Sequence, residues 1–201
     1  MGGIGVATWN AIGEDQDGAR IATAYTTIPA DRIGTQTATY SNGITAYEHG
    51  LAYNGTYYLD SRLTGSDVNL TLVQGTKDGV TSYWATFYNS STIFTLPAGA
   101  TAYTMSSAKQ LYRLGADGRT IPENTAVVII ADRASIMLTV GTNSTAITVN
   151  GGGNILQGSD SPVTVSGLSG TPHVLGVVGD VFGFHPYTGT EIPANKAYYI
   201  E

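Results

Sequence analysis

The chain contains no cysteine in 201 residues. Disulfides and thiolate metal sites are therefore excluded, and cysteine usage says nothing about the compartment. Positive charge is scarce: nine Lys and Arg stand against fifteen Asp and Glu, giving a net charge of −6. A nucleic-acid partner normally meets a clustered basic surface, and this sequence offers none. No apolar run approaches the roughly eighteen residues that a membrane-crossing helix needs. A charged-then-apolar leader is also missing ahead of MGGIGVATW, residues 1–9, so on a secreted reading the chain is a mature or excised piece. Only 12% of residues are charged, and the helix formers Glu and Lys are few. No window longer than about ten residues favours a helical apolar stripe over alternation.

What is present suits sheets. Twenty-six Gly and thirteen Tyr accompany abundant Thr, Val and Ile. The β-branched and aromatic residues fit a pleated, half-buried surface, and Gly supplies turns. Short strands are predicted at RIATAYTTI (20–28), TQTATY (35–40), ITAYEHGLAY (44–53), GTYYLDSRL (55–63) and VNLTLV (68–73). Two stretches are ambiguous, SSAKQLYRL (106–114) and IIADRASIML (129–138); the second reads as two strands turning at Asp132–Arg133. Strands at roughly ten-residue spacing without helices between them predict an all-β chain, an antiparallel β-sandwich or barrel-like domain or domains. The polar, Gly-bearing QGTKDGVTS (74–82) is the expected boundary, with an N-terminal β region at 1–82 and a C-terminal β module at 83–201; NGGGN (150–154) reads as a loop within the module.

The module carries an internal repeat. GRTIPENTAVVII (118–130) and GTEIPANKAYYIE (189–201) share Gly, Ile, Pro, Asn and Ala at matched positions. Backward extension with a one-residue gap sets TAYTM (101–105) on TPHVL (171–175), so the repeat spans 101–130 and 171–200. Pro122 and Pro193 preset φ for the first corner of a turn. Asn124 and Asn195, with Gly99 in the looser copy LPAGATAYTM (96–105), are the types that tolerate left-handed φ. The apolar runs that follow, AVVII and AYYI, predict strands covered on both faces. A turn, rather than a ligand loop, is the expected role of the motif.

The linked motifs YWATFYNSSTIFTLPAGATAYTMS, TIPENTAVVII, GNILQG and VFGFHPYTGTEIPANKAYYIE, within residues 83–201, resemble a C-terminal module of secreted and cell-surface proteins of Bacteroides-type gut bacteria. In that family the module often follows leucine-rich repeats. The resemblance implies an all-β extracellular accessory module and carries over no catalytic residue. Residues 1–82 lie outside it.

Candidate chemistry is thin. Glu14, Asp15 and Asp17 in EDQDG could give calcium two or three hard oxygens, but the third Asp/Asn and distal Glu of an EF-hand loop are missing, and a solvated turn is favoured. SSAK (106–109) spells the Ser-x-x-Lys of penicillin-binding hydrolases without their partner motifs. His49, His173 and His185 accompany no nucleophile elbow, so no enzyme is expected. Tyr47, Tyr53, Tyr57 and Tyr58, in a tyrosine-dense stretch with Tyr40 and with Trp9 upstream, are the candidate ligand face, because exposed aromatic rings stack on sugars. The expected function is a non-catalytic, secreted or cell-surface β module for adhesion, anchoring or spacing. The alternatives are a glycan-binding module using these tyrosines and a fimbrial-type subunit that polymerises by strand donation. Glycans or surface proteins are the expected partners. No cofactor is expected beyond the calcium alternative.

Overall fold

The computed structural model describes residues 23–25, 33–47, 50–59, 67–77, 79–141 and 153–201. The chain is all-β, with a 3-10 turn at Val165–Gly167 among its strands. It divides into two compact units, Met1–Gly65 and Ser66–Glu201.

In the first unit, β1 (Thr23–Tyr25), β2 (Gln36–Thr39), β3 (Ile44–Tyr47), β4 (Gly50–Tyr53) and β5 (Thr56–Leu59) form one antiparallel sheet in the order β1-β5-β4-β3-β2. Asn54 (φ 49°) and Gly55 (φ 74°) make the two-residue turn between β4 and β5. Two successive left-handed residues are what the twist-compatible hairpin turn demands.

The second unit opens with β6 (Val68–Thr71), β7 (Val73–Lys77), β8 (Val80–Phe87), β9 (Phe94–Thr95), β10 (Ala100–Met105) and β11 (Leu111–Arg113). It continues with β12 (Thr120–Ile121), β13 (Val127–Ala131) and β14 (Ser135–Val140). The closing elements are β15 (Gln157–Gly158), β16 (Val163–Thr164), β17 (Pro172–Val178), β18 (Val181–Pro186), β19 (Glu191–Ile192) and β20 (Ala197–Ile200). The sequence-expected boundary 74–82 lies inside this unit, where Lys77 faces Val80 across a tight β7–β8 turn with Gly79 at φ 78°. A polar, Gly-bearing stretch suits a hairpin as well as a linker. IIADRASIML is the expected pair of strands, β13 and β14, turning at 132–134.

The sheets stack in layers. A central sheet, β11-β10-β13-β8-β7, has one face on the sheet β12-β9-β14-β6, with Phe87, Ala102, Val127, Ile129, Phe94, Ile121 and Leu138 in the core between them. Its other face meets the sheet β15-β20-β17-β18 through Trp84, Met105, Val128, Ala197 and Tyr199. Being covered on both sides, β13 reads as a continuous apolar run rather than an alternating one. A two-stranded ribbon, β16-β19, completes the unit.

The segments 83–131 and 155–201 run through the same order of pairings. β10 lies between β11 and β13, and β13 is flanked by β8; β17 lies between β18 and β20, and β20 is flanked by β15. β9 pairs with β12 through Phe94–Ile121, as β16 pairs with β19 through Val163–Ile192. Loop hydrogen bonds match too. Leu96 N–H donates to Arg119 O and Val165 N–H to Thr190 O; Asn124 N–H donates to Asn89 O and Asn195 N–H to Ser159 O. Asn89 Oδ1 and Ser159 Oγ each accept from the N–H two residues on.

Candidate functional site

The tyrosine-dense stretch does not form one face. Ile44, Ala46 and Leu51 are buried on one side of the first unit's sheet. The registers Ile44–Tyr53 and Leu51–Tyr58 set Tyr53 and Tyr58 on that same, core side. Tyr47 and Tyr57 lie on the other side, their ring centroids 6.4 Å apart with planes tilted by 57°. All four are half-buried, and Tyr40, in the β2–β3 turn region, is the more exposed at 37%. Of these four, Tyr47 and Tyr57 are the two whose rings pack together on one side of the sheet. Glu14, Asp15 and Asp17, like Trp9 and His49, lie outside the described residues.

In the second unit the two Ile-Pro-x-Asn turns converge on Tyr88. Asn124 and Asn195 take φ of 54° and 58°, with Gly99 at 84°. The left-handed corner turns the chain from the Pro122 and Pro193 entries back into β13 and β20. The Tyr88 hydroxyl donates to Asn124 Oδ1 at 2.7 Å, and Asn195 Nδ2 donates to the Tyr88 carbonyl at 3.0 Å and to Asp160 Oδ1 at 3.1 Å. Asp160 also accepts from the backbone N–H and the hydroxyl of Ser90. Burial raises the Tyr88 phenol above its ordinary range, and the Asp160 charge adds to this. Beside the junction is an open cleft of about 370 Å³ lined by Tyr88, Asn124, Thr125, Asn154 and Gln157 among others. Asn154 is engaged on three sides: its Oδ1 accepts from Met105 N–H and Leu156 N–H, and its Nδ2 donates to Ala126 O. Deeper in, Ala197 N–H donates to Thr86 Oγ1 in a buried bond that ties β20 to β8. Amides and hydroxyls that could meet a ligand are largely committed to holding strands together.

The histidines do likewise. His185 Nε2 lies 3.0 Å from Val181 O on its own strand, the outermost of its sheet, where the ring shields a backbone acceptor. His173 is buried, stacks on Tyr199 at 4.7 Å and lies 3.1 Å from a Glu201 carboxylate oxygen. Lys109 pairs with the other oxygen of Glu201 and lies 5.0 Å over the Tyr199 ring. The hydrogen bond to Lys109, and then its charge, holds the Glu201 carboxyl below the ordinary range; the same bond raises Lys109. Ser-x-x-Lys is therefore a turn, closed by Lys109 N–H donating to Ser106 O with Lys109 at φ 59°, and its lysine is tied to the last strand.

Sequence reasoning missed Tyr88 and Asp160, which meet at the two turns, and Thr86, which ties β20 to β8. Extending the repeat back to Asn89 and Ser159 would have shown their neighbourhood. Among the described residues no group of three or more His, Asp or Glu is arranged to hold a metal, and no helix is long and apolar enough to cross a membrane. No protein-family model, curated protein or solved structure matches the chain.

Proposed function

We propose that the chain is a non-catalytic, secreted or cell-surface β module that serves adhesion, anchoring or spacing. The observation that carries this reading is the commitment of the polar side chains around Tyr88 to one another and to the backbone, which ties them into the scaffold. The last strand, β20, is interior, with ladders to both β15 and β17. The motif resemblance of residues 83–201 supports the extracellular setting. Antibody raised against residues 66–201 should label intact source cells or their medium. Labelling only after permeabilisation would contradict the reading.

A second reading, glycan binding, is favoured by the Tyr47–Tyr57 pair, because two rings on one side of a sheet can stack on successive sugar units. On a glycan array, binding should disappear in the Tyr47→Ala/Tyr57→Ala variant and persist in Tyr58→Ala, on the opposite side of the sheet. No binding by the parent leaves spacing or anchoring as the role.

A further inference from the structure

The central sheet and the sheet that carries β17 and β18 do not close on each other everywhere. Between them lies a cavity of about 240 Å³, walled by Met105, Leu111 and Val128 on one side and by Leu175, Phe182 and Phe184 on the other. Leu111, Leu175, Phe182 and Phe184 are only half-buried, so the sheets leave apolar surface uncovered here. Trp84 completes the wall, packed on Phe182 at 5.3 Å. The polar groups of the cavity are donors. Lys77, at the end of β7, and Lys109, in the β10–β11 turn, are exposed and line it. Lys109 also pairs with Glu201, which occupies one of the three donors of its ammonium group. The Trp84 indole Nε1–H is buried, in a residue 7% exposed, and meets no acceptor among the described residues. None of the described lining residues carries a carboxylate, and the Thr76 hydroxyl is paired with that of Thr81 at 3.2 Å.

We propose that this cavity binds a small apolar carboxylate. The aliphatic and aromatic walls take a hydrocarbon body, and carboxylate oxygens are the acceptors that ammonium and indole donors share. Other ligand classes fit the lining less well. A hydrocarbon without oxygen leaves the Trp84 N–H unpaired, and a cation meets Lys77 and Lys109. A sugar sets hydroxyls against Leu175 and Phe184, where nothing bonds to them. Size sets a limit as well, since sites for drug-sized ligands run to roughly 300–1,000 Å³ and this one is smaller. The inference goes beyond the surface-module reading and does not depend on it, because the cavity belongs to the second unit wherever the protein works.

The test titrates octanoate into the isotope-labelled full chain and follows the Trp84 indole N–H by NMR. A saturable shift of that resonance is expected, accompanied by the backbone amides of Leu175 and Phe182. Octanamide has the same shape without the charge and should bind at least about tenfold more weakly, with no change to the protein. Lys77→Glu, at an exposed hairpin end, should weaken octanoate by about the same factor and leave octanamide binding as it is in the parent. Retained octanamide binding shows that the variant is folded, so a loss confined to octanoate reports the charge. The absence of a saturable shift at Trp84 would overturn the proposal. So would equal affinity for octanoate and octanamide, or octanoate binding by Lys77→Glu that matches the parent.

Discussion

Asn124 and Asn195 hold the same backbone corner and differ in what their side chains do. At φ of 54° and 58°, a β-branched residue is strained, so Asn124→Val should lower stability by about 1–2 kcal/mol. Glycine removes the strain. Asn124→Gly forfeits one exposed bond from the Tyr88 hydroxyl and should be close to neutral. Asn195→Gly forfeits the bonds to the Tyr88 carbonyl and Asp160, so it should cost about 1 kcal/mol more than Asn124→Gly. Urea unfolding of the three variants checks the order. Thr86→Val keeps the shape and leaves the buried Ala197 N–H without an acceptor; about 1–3 kcal/mol should be lost. Equal midpoints for parent and Thr86→Val would refute the link between β8 and β20. The Pro and Asn corners were legible in the sequence because φ preference is local. The split of the tyrosines was half legible: Tyr57 and Tyr58 are adjacent in one strand and must point to opposite sides. Which of them joins Tyr47 depended on the cross-strand register, which no local pattern discloses.

Between elements, close approach decides. Gly75 on β7 lies under the Phe182 ring of β18, where a Cβ would meet ring carbons at 2.5–2.6 Å. Phe182 also packs on Trp84 at 5.3 Å, so it has little room to move. Gly75→Ala should cost about 1–3 kcal/mol by overpacking, and Gly79→Asn, in the β7–β8 turn with open space around it, should cost far less. The thermal midpoints of the two variants measure the contrast. The Lys109–Glu201 pair ties the β10–β11 turn to the end of β20. Glu201 has a depressed pKa, so its contribution is present above the ordinary carboxylate range and is lost as pH falls through the lowered value. Lys109 is raised, so its contribution is present below the ordinary lysine range and is lost as pH rises through the raised value. Glu201→Gln should flatten both limbs of the stability–pH curve relative to the parent. Both groups are exposed, so the effect is small. At this scale the strands at 127–131 and 135–140 were legible from their apolar patterns and the charged turn between them. The 74–82 segment was not, because hairpin and linker share a composition.

The second unit as a whole is two similarly paired segments stacked as layers, the first filled out by β6 and β14 and the second lacking their counterparts beside β16 among the described residues. The repeated motif pointed to 101–130 and 171–200; the matching pairings reach back to β8 and β15, where the residues differ, Phe87 against Gln157. Differences of that kind hide a like order of pairing from sequence, since backbone hydrogen bonds do not depend on side-chain identity. Amide hydrogen exchange of the folded protein, resolved residue by residue, tests this architecture most directly. β13 and β20 are both interior, so their amides should fall together in the slowest class. The matched edge amides should separate: Thr95 protected by β14, and Thr164, beside which no strand lies among the described residues, exchanging fast. Protection of Thr164 equal to that of Thr95 in the isolated protein would contradict the account.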